Sequence, residues 1–231
     1  MGRKNKLGRI EDVKRFPNVF EYKNFKENPD LKGKWHTHIF RNENPITLEL
    51  ACGKGEYTTN LARKYPGRNF IGIDIKGPRI WVGAKQALEE PLENVRFLRT
   101  FIDHLENFFV ESEVDEIWIP FSDPYLKKER KRLTAPKFLD IYRKILKPGG
   151  LINVKTDSTV LYKYTLDIIE KENCTIVQKI DDVYSDSHDL NLLTTIQTYY
   201  EQGHLEAGKM IHYVSFRFDD KPALRSDSLS R

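Results

Sequence analysis

Leu48-Glu49-Leu50-Ala51-Cys52-Gly53-Lys54-Gly55-Glu56 is the segment on which the architecture turns. Its first residues close a short apolar run over 46–50. Its last open a stretch in which Tyr57, Leu61, Ala62 and Tyr65 fall at helical spacing until Pro66-Gly67 stops them. Two glycines make the turn between, so the segment reads as strand, tight loop, helix. Outward from it, apolar runs at 69–74, 95–99, 115–121, 151–155, 175–180 and 211–218 read as six further strands, and most of the stretches between them read as helices. Gly77-Pro78 opens one helix. A second is expected over 135–146, capped by Thr134, with Phe138, Leu139, Tyr142, Ile145 and Leu146 on one face before Lys147-Pro148-Gly149-Gly150 ends it. Such alternation predicts an α/β fold: a doubly wound, mostly parallel seven-stranded sheet of Rossmann-like type with helices on both faces.

In such a sheet a ligand lies beyond the carboxyl ends of the strands, where the strand order reverses. The loop after the first strand lacks the Gly-x-Gly-x-x-Gly pattern that seats a pyrophosphate, and it places carboxylates, Glu49 and Glu56, where a polyanion would be repelled. A cationic, phosphate-free nucleoside suits it. The second strand, Asn69-Phe70-Ile71-Gly72-Ile73-Asp74, ends in an acid about 20 residues beyond Gly53, the offset at which a carboxylate accepts hydrogen bonds from ribose hydroxyls. S-adenosylmethionine has the required charge and ribose. Glu49, Gly53, Gly55 and Asp74 are therefore the candidate cofactor residues.

Composition fits a folded, unexported protein. With 231 residues, 39% apolar and 12% aromatic, and only 13 Gly and 11 Pro, the chain is neither collagen-like nor broadly disordered. No run approaches the ~18 apolar residues that span a bilayer, and Met1-Gly2-Arg3-Lys4-Asn5-Lys6 is followed by no signal core. No membrane partner and a cytoplasmic location are expected. Two cysteines, Cys52 and Cys174, neither frame a disulfide scaffold nor sit at zinc-ligand spacing. The net charge is only +4, but residues 1–41 carry eleven Lys or Arg against five Asp or Glu, and five of the six residues from Lys127 to Arg132 are basic. Segregated positive charge beside an acidic remainder favours a phosphate-backbone partner, with solvated loops as the alternative. The expected organisation is a basic arm over 1–44, a catalytic domain over 45–218 and a loose tail over 219–231.

The run Val114-Asp115-Glu116-Ile117-Trp118-Ile119-Pro120-Phe121 leads into Ser122-Asp123-Pro124-Tyr125-Leu126-Lys127-Lys128. Pro124 restricts Asp123 to extended backbone at the mouth of the same crevice. A carboxylate beside a methyl donor, followed by Lys127, Lys128, Arg130, Lys131 and Arg132, points to an acceptor atom carried on nucleic acid.

Six segments in order carry a resemblance: Asp30-Leu31-Lys32-Gly33-Lys34-Trp35; Leu48 to Gly55; Phe70-Ile71-Gly72-Ile73-Asp74; Ser122 to Lys128 with Lys131-Arg132-Leu133; Lys155-Thr156-Asp157; and Thr198-Tyr199-Tyr200-Glu201. Together they resemble the bacterial tRNA (guanine-N7-)-methyltransferases over nearly all of 30–218. The resemblance implies methyl transfer from S-adenosylmethionine to guanine N7 in the variable loop of tRNA, position 46. It implies cofactor contacts from Glu49, Asp74 and Asp123, with Asp123 catalytic, and guanosine contacts from Lys127, Asp157, Thr198, Tyr199, Tyr200 and Glu201. Ala51 stands where the family usually has glycine and Tyr125 where it has tryptophan. The family's acidic or amide residue after the third strand falls at Phe101 or Asp103, which makes Asp103 the candidate adenine contact.

His36-Thr37-His38 lacks a third metal ligand at suitable spacing, so no metal is expected. Trp81 and Trp118 read as core residues, and Tyr184 to Asn191 as a loop near the site. The sequence leaves open monomer or homodimer. Two other functions stay in view: a non-catalytic RNA-binding protein that keeps the fold, and methylation of a different RNA atom.

Overall fold

The computed structural model describes residues 3–21, 31–185 and 191–219. All but Asp219 of the expected tail over 219–231, Asp30, and the middle of the Tyr184–Asn191 stretch lie outside the described residues. The strands are β1 (Val19–Glu21), β2 (Ile46–Leu50), β3 (Asn69–Asp74), β4 (Val95–Arg99), β5 (Val114–Pro120), β6 (Leu146–Thr156), β7 (Cys174–Ile180) and β8 (His212–Phe218). They form one eight-stranded sheet in the order β1-β4-β3-β2-β5-β6-β8-β7, parallel from β1 to β6, with β8 antiparallel to both neighbours. The chain winds from β2 outward through β3 to β4, then returns to β5 on the other side of β2. That reversal sets the crevice at the carboxyl ends of β2 and β5.

Alternation along the strands divides the core between two faces. Ile46, Leu48 and Leu50 of β2 face the layer that holds helices α4 (Pro136–Ile145) and α5 (Thr159–Lys171). On the opposite face, Tyr57 and Leu61 of helix α2 (Glu56–Lys64) and Ile80 and Ala84 of helix α3 (Gly77–Glu89) pack with Phe70, Phe97 and Trp118. Thr47 and Glu49 of β2 alternate onto this second face.

Four sequence expectations are corrected. Residues 1–44, read as irregular, contain helix α1 (Arg3–Val13), strand β1 and a π-helical turn over Trp35–Phe40. Trp35 is fully buried, donates to the Phe108 carbonyl at 2.9 Å and stacks on Phe109, so this segment fills core rather than trailing from it. Strand β1 adds an eighth strand to the expected seven by pairing parallel with β4, Val19 beside Phe97, and Arg99 of β4 reaches Glu21 at 2.7 Å. Thr134 does not cap α4; its hydroxyl is within 2.9 Å of the Thr165 hydroxyl, and Ala135 precedes Pro136 at the helix start without a side-chain cap. Trp81 is half-buried rather than core. Its indole donates to Asp12 at 2.9 Å, and the Arg9 guanidinium lies 4.2 Å from its ring centre, so it is the seat of α1 on α3. Trp118 is core, as expected.

Candidate active site

The carboxyl ends of β2, β3, β5 and β6 bring four of the predicted segments together. After β2 the backbone turns through Ala51 (φ 55°), Gly53 (φ 56°) and Gly55 (φ 71°), three left-handed residues in five. This accounts for the family's glycine at position 51, since an alanine there carries backbone strain. The Gly53 N–H donates to Asp74 at 3.0 Å, and the Lys76 N–H donates to its other oxygen at 2.8 Å. Asp74 therefore fixes the glycine loop against the end of β3, and with two amides bound its carboxylate keeps room for further donors. On α3, a Cβ at Gly83 would stand 2.3 Å from the Lys54 carbonyl, so glycine is required where the loop and helix meet.

Glu49 lies one residue inside β2 and is 4% exposed. One carboxylate oxygen accepts from the Thr58 N–H at 2.7 Å and from the Thr58 hydroxyl. Burial pushes its pKa up to about 8 against the pull of these donors, with Glu56 adding to the rise. A buried carboxyl whose bonded partners are neutral is suited to a cationic ligand. The Cys52 thiol beside it is pushed up by burial and behaves as a packing group.

On the acceptor side, Asp123 is exposed and accepts from the Tyr125 N–H at 3.0 Å. Phe121 (φ 49°) and Tyr125 (φ 40°) hold left-handed backbone on either side of it, so Asp123 sits between two strained residues. Lys127, Lys128, Arg130 and Lys131 are exposed. Arg132 is not. It is 1% exposed, donates to the Pro124 carbonyl at 2.8 Å, pairs with Glu129 at 3.1 Å and lies 4.3 Å from the centre of the Tyr164 ring. Its expected phosphate contact is corrected on that ground: it holds the Asp123 loop together from inside.

At the end of β6, Asp157 accepts from Lys209 at 2.8 Å and lies 3.4 Å from His204. The remaining acceptor-side candidates sit on helix α7 (Tyr199–Glu206), which follows the short helix α6 (Asn191–Thr195). Thr198 caps α7 and exchanges hydrogen bonds with Glu201 in a capping box. Tyr199 and Tyr200 are 64% and 50% exposed, whereas Glu201 is fully buried against Lys155. A direct guanosine contact from Glu201 is therefore not what the burial favours. Glu56 accepts from the Tyr199 N–H at 3.1 Å, and the Lys54 ammonium lies 4.3 Å from the Tyr199 ring centre, so the cofactor loop and the acceptor wall touch. Beyond β4, Phe101 is 47% exposed while Asp103 pairs with Lys137 of α4 at 2.5 Å.

His204 and Lys209 do not stand out in the sequence, because no local pattern marks them; Lys155 and Tyr184 fall in segments singled out there, but with no role of their own. His36 bonds the Asn44 carbonyl, and among the described residues no group of three or more His, Cys, Asp or Glu side chains is placed to hold a metal. Among the same residues no helix is long and apolar enough to cross a membrane.

Residues 43–214 match the family model described as a putative methyltransferase. A tRNA (guanine-N(7)-)-methyltransferase of Porphyromonas gingivalis is 49% identical over 87% of this chain and 84% of its own length, and one of Christiangramia forsetii is 48% identical over 94% and 99%. The chain belongs to the tRNA (guanine-N7-)-methyltransferase family. A solved structure titled an antibiotic-related methyltransferase superposes with a TM-score of 0.61 at 18% identity, covering 84% of this chain and 98% of that one. At that identity the likeness concerns the fold, and it agrees with a Rossmann-like α/β sheet. Within this family's frame, the glycine loop, Asp74 and Asp123 occupy neighbouring strand ends.

Proposed function

We propose that this chain transfers a methyl group from S-adenosylmethionine to N7 of a guanosine in the variable loop of tRNA, position 46. The observation that supports the reading most is the convergence of Glu49, Asp74 and Asp123 at the ends of the three adjacent strands β3, β2 and β5. S-adenosylmethionine supplies a methyl group on a cationic sulfur. Glu49 offers a buried carboxyl to the ligand's positive end, and Asp74 offers its remaining lone pairs to the ribose hydroxyls. The backbone of Gly53 and Gly55 leaves room for close approach. Asp103 is committed to Lys137, so the exposed ring of Phe101 is the better wall for adenine.

Guanine N7 carries an in-plane lone pair and no proton, so no base is needed before attack. Positioning is the main task, and it is worth up to ~7–11 kcal/mol in ideal intramolecular cases. Asp123 stabilises the positive charge that grows on the purine, and Lys127, Asp157 and Thr198 hold the nucleoside. N7 lies on the edge that A-form RNA buries in its deep groove, so the guanosine leaves the stack, and the exposed rings of Tyr125, Tyr199 and Tyr200 offer it a face.

Incubation with methyl-labelled S-adenosylmethionine and unmodified tRNA, followed by digestion to nucleosides, is expected to return the label as 7-methylguanosine. Label in another nucleoside, or binding of tRNA without transfer, would overturn the reading in favour of a different acceptor or a non-catalytic RNA-binding role. The basic loop has its own test. Neutralising Lys128, Arg130 and Lys131 is expected to weaken tRNA binding and flatten its salt dependence by ~0.7–0.9 in log–log slope for each lost phosphate contact. Arg132→Ala should instead lower the melting temperature, because it empties a buried, hydrogen-bonded site. A salt slope unchanged in the triple variant would take the loop off the RNA.

A further inference from the structure

Lys155 is the last but one residue of β6, and its side chain is fully buried. A lone cation inside a protein is held there only by close partners, so the identity of those partners states its job. The ammonium reaches the Glu201 carboxylate, also fully buried, and the Leu193 carbonyl. It lies 5.7 to 5.9 Å from the ring centres of Tyr57, Phe121 and Tyr184. Tyr184 in turn donates to Glu201 at 2.8 Å. Leu193 belongs to α6 and Glu201 to α7, so one cation fastens both acceptor-side helices to the sheet.

The main chain of the same residue works on the other wall. The Phe121 N–H donates to the Lys155 carbonyl at 2.8 Å, and Phe121 is the left-handed residue two positions before Asp123. Glu201 is engaged twice more, because its backbone and carboxylate close the capping box with Thr198 that sets the start of α7 and thus the place of Tyr199 and Tyr200. The crevice between Asp123 and the two tyrosines is therefore spanned underneath by one residue.

We propose that Lys155 is the positioning residue of the acceptor crevice, and that Glu201 serves the reaction through its buried pair with Lys155 rather than by touching the guanosine. The inference rests on the reading that α7 faces the guanosine. The hydrogen-bonding and charged partners of Lys155 lie on α6, α7 and the Asp123 wall, and its neighbour on the cofactor side is the Tyr57 ring of α2, while the glycine loop itself is held by Asp74 and Gly83.

The test is a double-mutant cycle on the full chain with Lys155→Met and Glu201→Gln, read by steady-state methylation of tRNA, S-adenosylmethionine affinity by calorimetry, and amide exchange over residues 191–206. Each single variant is expected to lower kcat at saturating tRNA by about a hundredfold, the cost of misplacing reacting groups by about an ångström. Cofactor affinity should stay within about twofold, and exchange in α7 should quicken. The double variant should be no worse than the worse single, because the two groups act as a unit. Lys155→Arg, which keeps the charge, should recover part of the turnover. Wild-type kcat in Lys155→Met, single effects that multiply in the double variant, or a parallel loss of cofactor affinity would each overturn the proposal. If Lys155→Met fails to fold, Glu201→Gln, whose side-chain carbonyl can still accept from the Thr198 N–H while its backbone N–H keeps the bond to the Thr198 hydroxyl, supplies the same turnover and exchange readouts. Failure of the wild-type chain to methylate guanine N7 is a separate result that removes the proposed function, while the exchange readout still tests the pair.

Discussion

tRNA whose target guanosine is replaced by 7-deazaguanosine is expected to bind with little change and to accept no methyl group. The substitution exchanges one ring nitrogen for carbon, which removes the in-plane lone pair and leaves the Watson–Crick edge, the ring faces and the ribose as they were. The contacts available to Asp157, Thr198 and the tyrosines therefore survive, and so do phosphate contacts from Lys128, Arg130 and Lys131, which carry most of the affinity. What is lost is the nucleophile. Because nothing in the proposed mechanism removes a proton from the base, no alternative oxygen or nitrogen is activated to take over, and the loss should be complete rather than partial. Labelled transfer to the modified RNA, with binding measured alongside, decides the matter. Persistent incorporation would show that the acceptor is not N7, and failure to bind would show that N7 serves recognition as well as attack.

The parts of this architecture that are local in sequence are legible there. Seven strands stand within a few residues of their apolar runs: β2 and β3 are buried along their whole length, which leaves a continuous hydrophobic signature, whereas the edge strand β7, exposed from Thr175 to Lys179, is marked by its β-branched Thr175, Ile176 and Val177. The hydrogen bond from Gly53 to Asp74 joins the two features whose spacing in the sequence suggests a nucleoside site. Helix α1 is illegible for a different reason. Its few apolar residues make no stripe, and it is held by Trp81 of α3, which meets Arg9 and Asp12 only once the sheet exists. Arg132 shows the same limit within a single motif. Nothing in a run of basic residues separates the one that turns inward to the Pro124 carbonyl from its four exposed neighbours. Lys155 is the extreme case, since a lysine in a strand reads as solvated unless its partner, Glu201, is already known to be beneath it. The cofactor half of the site is built from neighbouring strand ends and reads from sequence. The acceptor half is built from contacts between β6 and α7, and reads only from the fold.

Binding of S-adenosylmethionine is expected to release a proton near neutral pH and to tighten as pH rises toward 8. The group responsible is Glu49. Burial lifts its pKa from 4.5 to about 8, so in the unliganded protein it is mostly protonated at pH 7. A positively charged ligand favours the ionised form, and the proton must leave as the ligand arrives. Linkage then gives an affinity that gains up to about tenfold per pH unit below 8 and flattens above it. Stability of the unliganded protein should move the opposite way. A carboxyl whose folded pKa lies above its unfolded value contributes its full stabilisation below about 4.5 and loses it as pH rises through about 8. The change is on the order of 1.4 kcal/mol for each pH unit separating the two values. Calorimetry in two buffers of different ionisation enthalpy reads the proton count, and melting curves across the same range read the stability. In Glu49→Gln both pH dependences should disappear, with cofactor affinity reduced at pH 8. Proton uptake on binding, or a wild-type affinity that does not change between about pH 6 and 8, would place the ligand's positive end away from Glu49.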